Sequence, residues 1–213
     1  FHINDPSLHA LAGIAVPDAQ VTAPDLRLVQ NGPLLITHWG LSGPAVLKLS
    51  AWGARAMADC DYTFVLQVMW QRGPRDAMAQ TLSAWRTRQA ARTVVSGGPL
   101  EAPVRLWAWL CQRAGVEADR VWSRLTREQE RRLAEEITAC RLEVTGKSTF
   151  KEEFVTCGGV RLNEVDFKTM ESRVCPGLHL AGEVLNIDAV TGGFNFQAAW
   201  TTGWLAGKAM AGA

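Results

Sequence analysis

The 213-residue chain sets 22 basic side chains against 21 acidic ones, a formal charge of +1. That balance argues against a protein devoted to coating nucleic acid, and 47% hydrophobic residues exclude global disorder. The length suits one large domain or two small ones. The opening Phe1-His2-Ile3 reads as the start of a piece of a longer protein.

The first 25 residues carry Pro6, Pro17 and Pro24 among scattered apolar positions, which predicts loop and short edge strands. Leu34–Thr37 predicts a buried strand. It runs into Gly40-Leu-Ser-Gly-Pro44, where Ser42 is the expected N-cap of a helix and Pro44 is tolerated in its first turn. Residues 62–70 alternate cleanly, with Tyr62, Phe64, Leu66, Val68 and Trp70 on one face, and predict a strand. After Gly73-Pro74 the period becomes helical. Met78, Leu82 and Trp85 form one stripe, and Val104, Trp107, Cys111 and Ala114 another. Thr126-x-x-Gln129 is a capping-box pattern ahead of Leu133, Ile137 and Cys140, with Glu128/Arg132, Arg131/Glu135 and Arg132/Glu136 as outward ion pairs. Residues 74–140 are thus expected as a helical insert between strands. Strand character returns at Arg141–Thr145 and Phe154–Val155, again over Val160–Phe167, and at Leu178–Ala181; Gly192-Gly193 then opens a final helix.

Cys60, Cys111, Cys140, Cys157 and Cys175 are odd in number and widely spaced, without a C-x-x-C or a nearby histidine pair. Neither a disulfide framework nor a metal site fits, and buried thiols in a reducing, cytoplasmic compartment are expected. Residues 192–211 are apolar enough to suggest a membrane helix. Asn195, Gln197 and Lys208, with Glu183 and Asp188 close upstream, argue against that, so no membrane partner is expected.

The most informative stretch runs from Leu178 to Gln197. A strand would deliver Glu183 at its C-terminal end, where α/β sheets bind ligands. Gly192 and Gly193 permit close backbone approach. The helix start that follows offers free N–H groups and partial positive charge to an anion or an electron-rich carbonyl. Glu183, Asp188 and the glycine pair crowded at one edge predict a ligand site.

Taken in order, Thr37-His-Trp-Gly-Leu-Ser-Gly-Pro-Ala45, Thr156-Cys-Gly-Gly-Val160, Glu164-Val-Asp166, Lys168–Ser172, Pro176-Gly-Leu178, Ala181-Gly-Glu183 and Thr191-Gly-Gly-Phe-Asn195 resemble the bacterial flavoprotein family of aminoacetone-oxidase-type and BaiN-like FAD-dependent oxidoreductases. The resemblance implies an α+β protein. Residues 1–150 would form a β-rich, barrel-like domain carrying the insert. Residues 151–213 would supply the C-terminal strand, loop and helix of a split Rossmann-like FAD domain. The chain has no G-x-G, so the N-terminal, pyrophosphate-binding half of that domain would be missing from it and would be its partner. FAD is the implied cofactor, held by Gly182, Glu183, Asp188, Thr191, Gly192, Gly193, Phe194 and Asn195. Gly182 and Glu183 would lie by the ribityl or pyrophosphate portion, and Thr191–Asn195 by the pyrimidine edge. The chain departs from the family pattern at Asn186, Ala189 and Phe194, where Asp, Gly and Tyr are usual.

The implied parent activity is hydride transfer between FAD and a small-molecule substrate or a nicotinamide, this chain alone being inactive; the alternative is a non-catalytic interaction or lid domain. No catalytic residue is assigned. His38 reads as a structural histidine in preference to an acid–base group, and Ser42 as a cap in preference to a nucleophile. The arginines at 86, 88, 92, 120, 124, 127, 131 and 132 read as solvated faces, with no nucleic acid partner. Substrate, electron acceptor and oligomeric state are not legible.

Overall fold

In the computed structural model, which describes residues 1–148 and 155–212, six strands close into an antiparallel barrel. They are β1 (His2–Ile3), β2 (Ala15–Ala23), β3 (Leu28–Thr37), β4 (Gly40–Ser42), β5 (Thr63–Met69) and β6 (Cys140–Gly146), in the order β1-β4-β3-β2-β5-β6. The ring closes where β1 meets β6, with Ile3 opposite Val144. Alternate residues supply the core: Val21, Leu34, Ile36, Leu66, Val68 and Val144 are all buried. Closure removes the exposed ladder edges that an open six-stranded sheet would present.

The N-terminal expectation is corrected here. β2 is a nine-residue strand held between β3 and β5, not a short edge. Pro17, which cannot donate to a ladder, sits where the β2–β3 register shifts between Val16 and Ala19. A bulge accommodates the missing N–H there. Ahead of β2, α1 (Pro6–His9) is capped by Asp5, whose carboxylate accepts from the amides of Ser7 at 2.9 Å and Leu8 at 3.2 Å.

Ser42 does not cap the next helix, α2 (Pro44–Asp59). The cap is Gly43 at φ 98°, with no side chain on the first turn. Ser42 is still paired with Leu35 in the barrel ladder, one residue too early to serve.

The insert contains α3 (Arg75–Arg88), α4 (Val104–Arg113) and α5 (Arg127–Ala139). Its core is built on tryptophan. Trp107 stacks on Trp122 with centroids 6.1 Å apart, and its indole N–H donates to the Val94 carbonyl at 2.7 Å. Trp70 meets Trp109 edge-on at 6.0 Å. The Thr126–Gln129 capping box forms as expected. Two of the three expected ion pairs are present, Arg132–Glu128 at 2.8 Å and Arg131–Glu135 at 3.2 Å. Glu136 instead pairs with Arg113 of α4 at 2.7 Å. Val104 is exposed at the first turn of α4, while Trp107 and Cys111 face inward.

The thiols divide. Cys111 and Cys140 are buried, and burial pushes the Cys111 thiol up to about 12. Cys60 and Cys157 are half-buried and Cys175 is exposed, so the all-buried expectation fails for three of five.

The chain forms two compact units. The first is Phe1–Leu49 with Ala56–Ser148; the second takes Ser50–Arg55, the middle of α2, together with 155–212 among the described residues. The second unit has a small core of Val165, Met170, Leu185 and Ala206. Around it lie the hairpin strands β7 (Val165–Asp166) and β8 (Glu171–Ser172), and the long helix α6 (Phe194–Met210). Most of Val160–Phe167 is thus not strand: Leu162–Glu164 is a 3-10 turn. Nor is Leu178–Ala181 a strand. Its backbone is used by the hairpin, with Ser172 N–H donating to the Leu178 carbonyl at 2.7 Å and Leu180 N–H to that of Met170 at 2.9 Å. One antiparallel bridge, Glu171 to His179, results. Phe154 lies outside the described residues. No helix among the described residues is long and apolar enough to cross a membrane.

Candidate functional site

The Gly192-Gly193 pair does open the last helix. Gly193 is the N-cap of α6 at φ 99°, a left-handed conformation that favours glycine. Among the described residues no side chain caps the first turn, and, chain neighbours and the helix's own backbone aside, nothing lies within 4 Å of where a Cβ would stand on Gly192 or Gly193. The helix start is therefore open, with its amides and the positive end of its dipole turned to whatever approaches.

Asn195 holds the preceding loop against this turn. Its amide group accepts from the Ala189 N–H at 3.0 Å and donates to the Ala189 carbonyl at 3.1 Å. Asp188, one residue earlier, is thereby fixed beside the helix start. From α2, the Arg55 guanidinium donates to Asn186 Oδ1 at 2.6 Å and lies 4.0 Å from Asp188 Oδ1.

These groups border a cleft of about 430 Å³ lined by Ala51, Trp52, Arg55, Asp188, Ala189, Val190 and Phe194. Its volume falls in the range of small-molecule sites, about 300–1,000 Å³. Trp52 and Phe194 are 67% and 66% exposed, large aromatic surfaces left open among the described residues. Cys157 adjoins the same group: burial, then the Asp188 carboxylate beside it, push its thiol up, while Arg55 pulls the other way. Cys157 therefore stays protonated at neutral pH.

The Asn186–Asp188 strip is positioned from beneath by the 158–160 turn. Val160 N–H donates to the Val184 carbonyl at 2.8 Å, and Asn186 N–H to that of Val160 at 2.9 Å. At Gly159 (φ 131°) a Cβ would stand 2.5 Å from the Val184 carbonyl oxygen. Only glycine allows the two backbones to approach this closely.

Of the expected site residues, Asp188, Thr191, Gly192, Gly193, Phe194 and Asn195 gather at the helix start. Gly182 and Glu183 do not join them. They form a 3-10 turn, Gly182–Val184, in which the Gly182 amide donates to Thr202 Oγ1 at 2.9 Å. Thr202 lies nine residues beyond Gly193, roughly 13 Å along the helix axis. Glu183 is exposed. An extended ligand could touch both ends; a compact one could not.

Trp52, Arg55 and Asn186 are functional candidates that sequence reasoning missed. Arg55 belongs to no local motif, and its partners Asn186 and Asp188 lie far along the chain. The available signal was Trp52-x-x-Arg55, an aromatic and a cation on one side of an otherwise alanine-rich helix.

The uncapped helix start, the Arg55 guanidinium and the exposed Trp52 and Phe194 side chains make up the candidate site. Residues 9–209 match the HI0933-like protein Rossmann domain, and the chain belongs to that family. It is 32% identical over 204 residues to the ribosomal RNA dihydrouridine synthase of Escherichia coli, covering 92% of this chain and 46% of that protein. The ribosomal RNA dihydrouridine synthase of Haemophilus influenzae is 29% identical over 201 residues, 94% of this chain and 47% of that protein. The 3-dehydro-bile acid delta(4,6)-reductase of Clostridium scindens is 45% identical over 78 residues, 35% of this chain and 19% of that protein. The chain spans about half the length of the two synthases it matches.

Proposed function

We propose that this chain is part of an FAD-dependent reductase that adds hydrogen across a carbon–carbon double bond conjugated to a carbonyl, with uracil bases of ribosomal RNA as substrate. The observation that carries the reading is the cleft at the start of α6, where Arg55, two aromatic faces and uncapped amides converge. The names of the relatives support the reaction class. Dihydrouridine is uridine with two hydrogens added at a ring double bond conjugated to a carbonyl, and a 3-dehydro, delta(4,6) bile acid also has double bonds conjugated to a ketone. The match to the two synthases extends over nine-tenths of the chain, helical insert included, and favours the RNA base over the small molecule expected from sequence. A small conjugated ketone is the second reading, favoured by the 45% match to the bile acid enzyme.

The residues fit the cofactor. Gly192 and Gly193 leave open space above the backbone, and the first-turn amides of α6 suit the electron-rich pyrimidine edge of an isoalloxazine ring. Trp52 and Phe194 would flank it, and Gly182 and Glu183, in the 3-10 turn held to α6 at Thr202, would meet the ribityl or pyrophosphate portion. FAD, once bound and reduced by an external donor such as a nicotinamide, would supply the hydride and end oxidised. The chain's own residues do the rest. Trp52 and Phe194 would cover the faces of a ring lying between them and shield it from water. Arg55 donates N–H to the substrate carbonyl, drawing electrons from the conjugated double bond so that its far carbon accepts hydride; the near carbon then takes a proton from solvent, which completes the addition of two hydrogens. Asn186 and Asp188 orient the guanidinium.

The test uses the intact protein, reduced without air and mixed with unmodified ribosomal RNA made by transcription. The expected result is return of the oxidised flavin absorbance together with dihydrouridine in the RNA by mass spectrometry. Flavin that stays reduced with both RNA and a conjugated ketone would contradict the reading and leave the non-catalytic alternative.

A further inference from the structure

Electrostatics single out the helical insert. Residues 74–140 contain eleven arginines, no lysine and eight acidic residues, a net +3 within a chain whose total is +1. Local ion pairs account for part of this. Arg131 is held by Glu128 at 2.9 Å and Glu135 at 3.2 Å, Arg113 by Glu136, and Arg120 by Glu117 at 2.7 Å. Arg75 and Arg127 are different: both are exposed, and neither has a carboxylate within 4.0 Å among the described residues.

These two arginines lie on one cleft of about 550 Å³ between α3 and α5. The helices run antiparallel there, since Arg86 near the end of α3 meets Glu130 near the start of α5 at 3.4 Å. Ala79, Ser83 and Ala134 line the cleft with small side chains, keeping it open. Arg75, Arg86, Arg127 and Arg131 line it too, against Asp76 and Glu130. Glu130 is paired with Arg86, and Arg131 with Glu128 and Glu135, which leaves Arg75 and Arg127 against Asp76, an excess of one positive charge. Arg75 and Arg86 are eleven residues apart, about 16 Å along α3, long enough to follow several consecutive phosphates.

We propose that this cleft is an RNA-backbone binding surface, with Arg75 and Arg127 as its principal phosphate contacts; the inference rests on the RNA-substrate reading above. Guanidinium groups match phosphate oxygens two at a time, and a cleft whose cations are all arginine and whose lining holds no aromatic residue suits the backbone of a folded RNA better than splayed bases. Contacts of this kind fix register without reading sequence. The base to be reduced is then selected at the other site.

The test measures binding of unmodified ribosomal RNA to the intact protein across a salt series, for wild type and for Arg75→Ala/Arg127→Ala. Both side chains are exposed, so thermal melts should coincide and report intact folding. The proposal expects affinity to fall at least tenfold and the salt slope to drop by about two. Arg75→Lys/Arg127→Lys should keep most of the slope. Unchanged affinity and slope in the double alanine variant would overturn the surface while leaving the substrate reading standing. If wild type bound no RNA at any salt, surface and substrate reading would fall together.

Discussion

Replacing Gly159 by alanine is expected to cost about 3 kcal/mol in the second unit and to abolish flavin retention by the intact protein. A Cβ at this position would stand 2.5 Å from the Val184 carbonyl oxygen and 2.6 Å from the Leu185 carbonyl carbon, both backbone atoms that cannot swing aside. The positive φ of 131° adds strain for any residue with a Cβ. Relief requires the 158–160 turn to leave the 184–186 strip, breaking the hydrogen bonds from Val160 to Val184 and from Asn186 to Val160. Asn186 and Asp188 would then lose their position beside α6. Hydrogen exchange reads this directly: the amides of Val160 and Asn186 should lose protection, while those of β5 and β6 keep theirs. Wild-type protection at Val160 with full flavin content would refute the positioning role given to this turn.

The second large effect is chemical. Arg55→Ala in the intact protein is expected to lower kcat/KM for substrate reduction by about 10²-fold, the usual cost of removing one donor aimed at a developing oxyanion. Its side chain is 63% exposed and its Asn186 partner can turn to water, so the fold should survive. FAD content should change little, which separates loss of carbonyl activation from loss of the cofactor. Arg55→Lys keeps the charge but not the planar pair of donors, and should recover only part of the rate. Equal kcat/KM in wild type and Arg55→Ala would remove Arg55 from the mechanism.

What the sequence made legible were features whose signal is local. The alternation over residues 62–70 gave β5, and Thr126-x-x-Gln129 gave the start of α5, because side-chain period and cap chemistry depend on few neighbours. Longer-range geometry was hidden. Pro17 read as a strand breaker because only the β2–β3 register shows the bulge that accepts it. Leu178–Ala181 had strand composition, yet its hydrogen bonds went to the β7–β8 hairpin. At the site, the glycine pair and Asn195 were legible as a helix start, since glycine at a cap is a backbone signature. Arg55 was not, because its role comes from the fold bringing α2 to Asn186 and Asp188, 131 residues later in sequence for the former.

Tryptophan use follows the same division. Trp70, Trp107, Trp109 and Trp122 build the core where the insert meets the barrel. Trp52, Trp200 and Trp204 are exposed in the second unit, as are Phe194 and Phe196. Exposed aromatic area of this extent marks contact surface, and Trp52 and Phe194 bring part of it to the 430 Å³ cleft.

Equilibrium binding of FAD to the flavin-stripped intact protein, wild type beside Trp52→Ala/Phe194→Ala, tests the proposed flavin site most directly. Because both side chains are about two-thirds exposed, melting should be nearly unchanged. Losing two aromatic walls should weaken FAD binding at least tenfold. Identical affinity in the two proteins, or no FAD binding by wild type, would contradict the placement of the flavin at the start of α6.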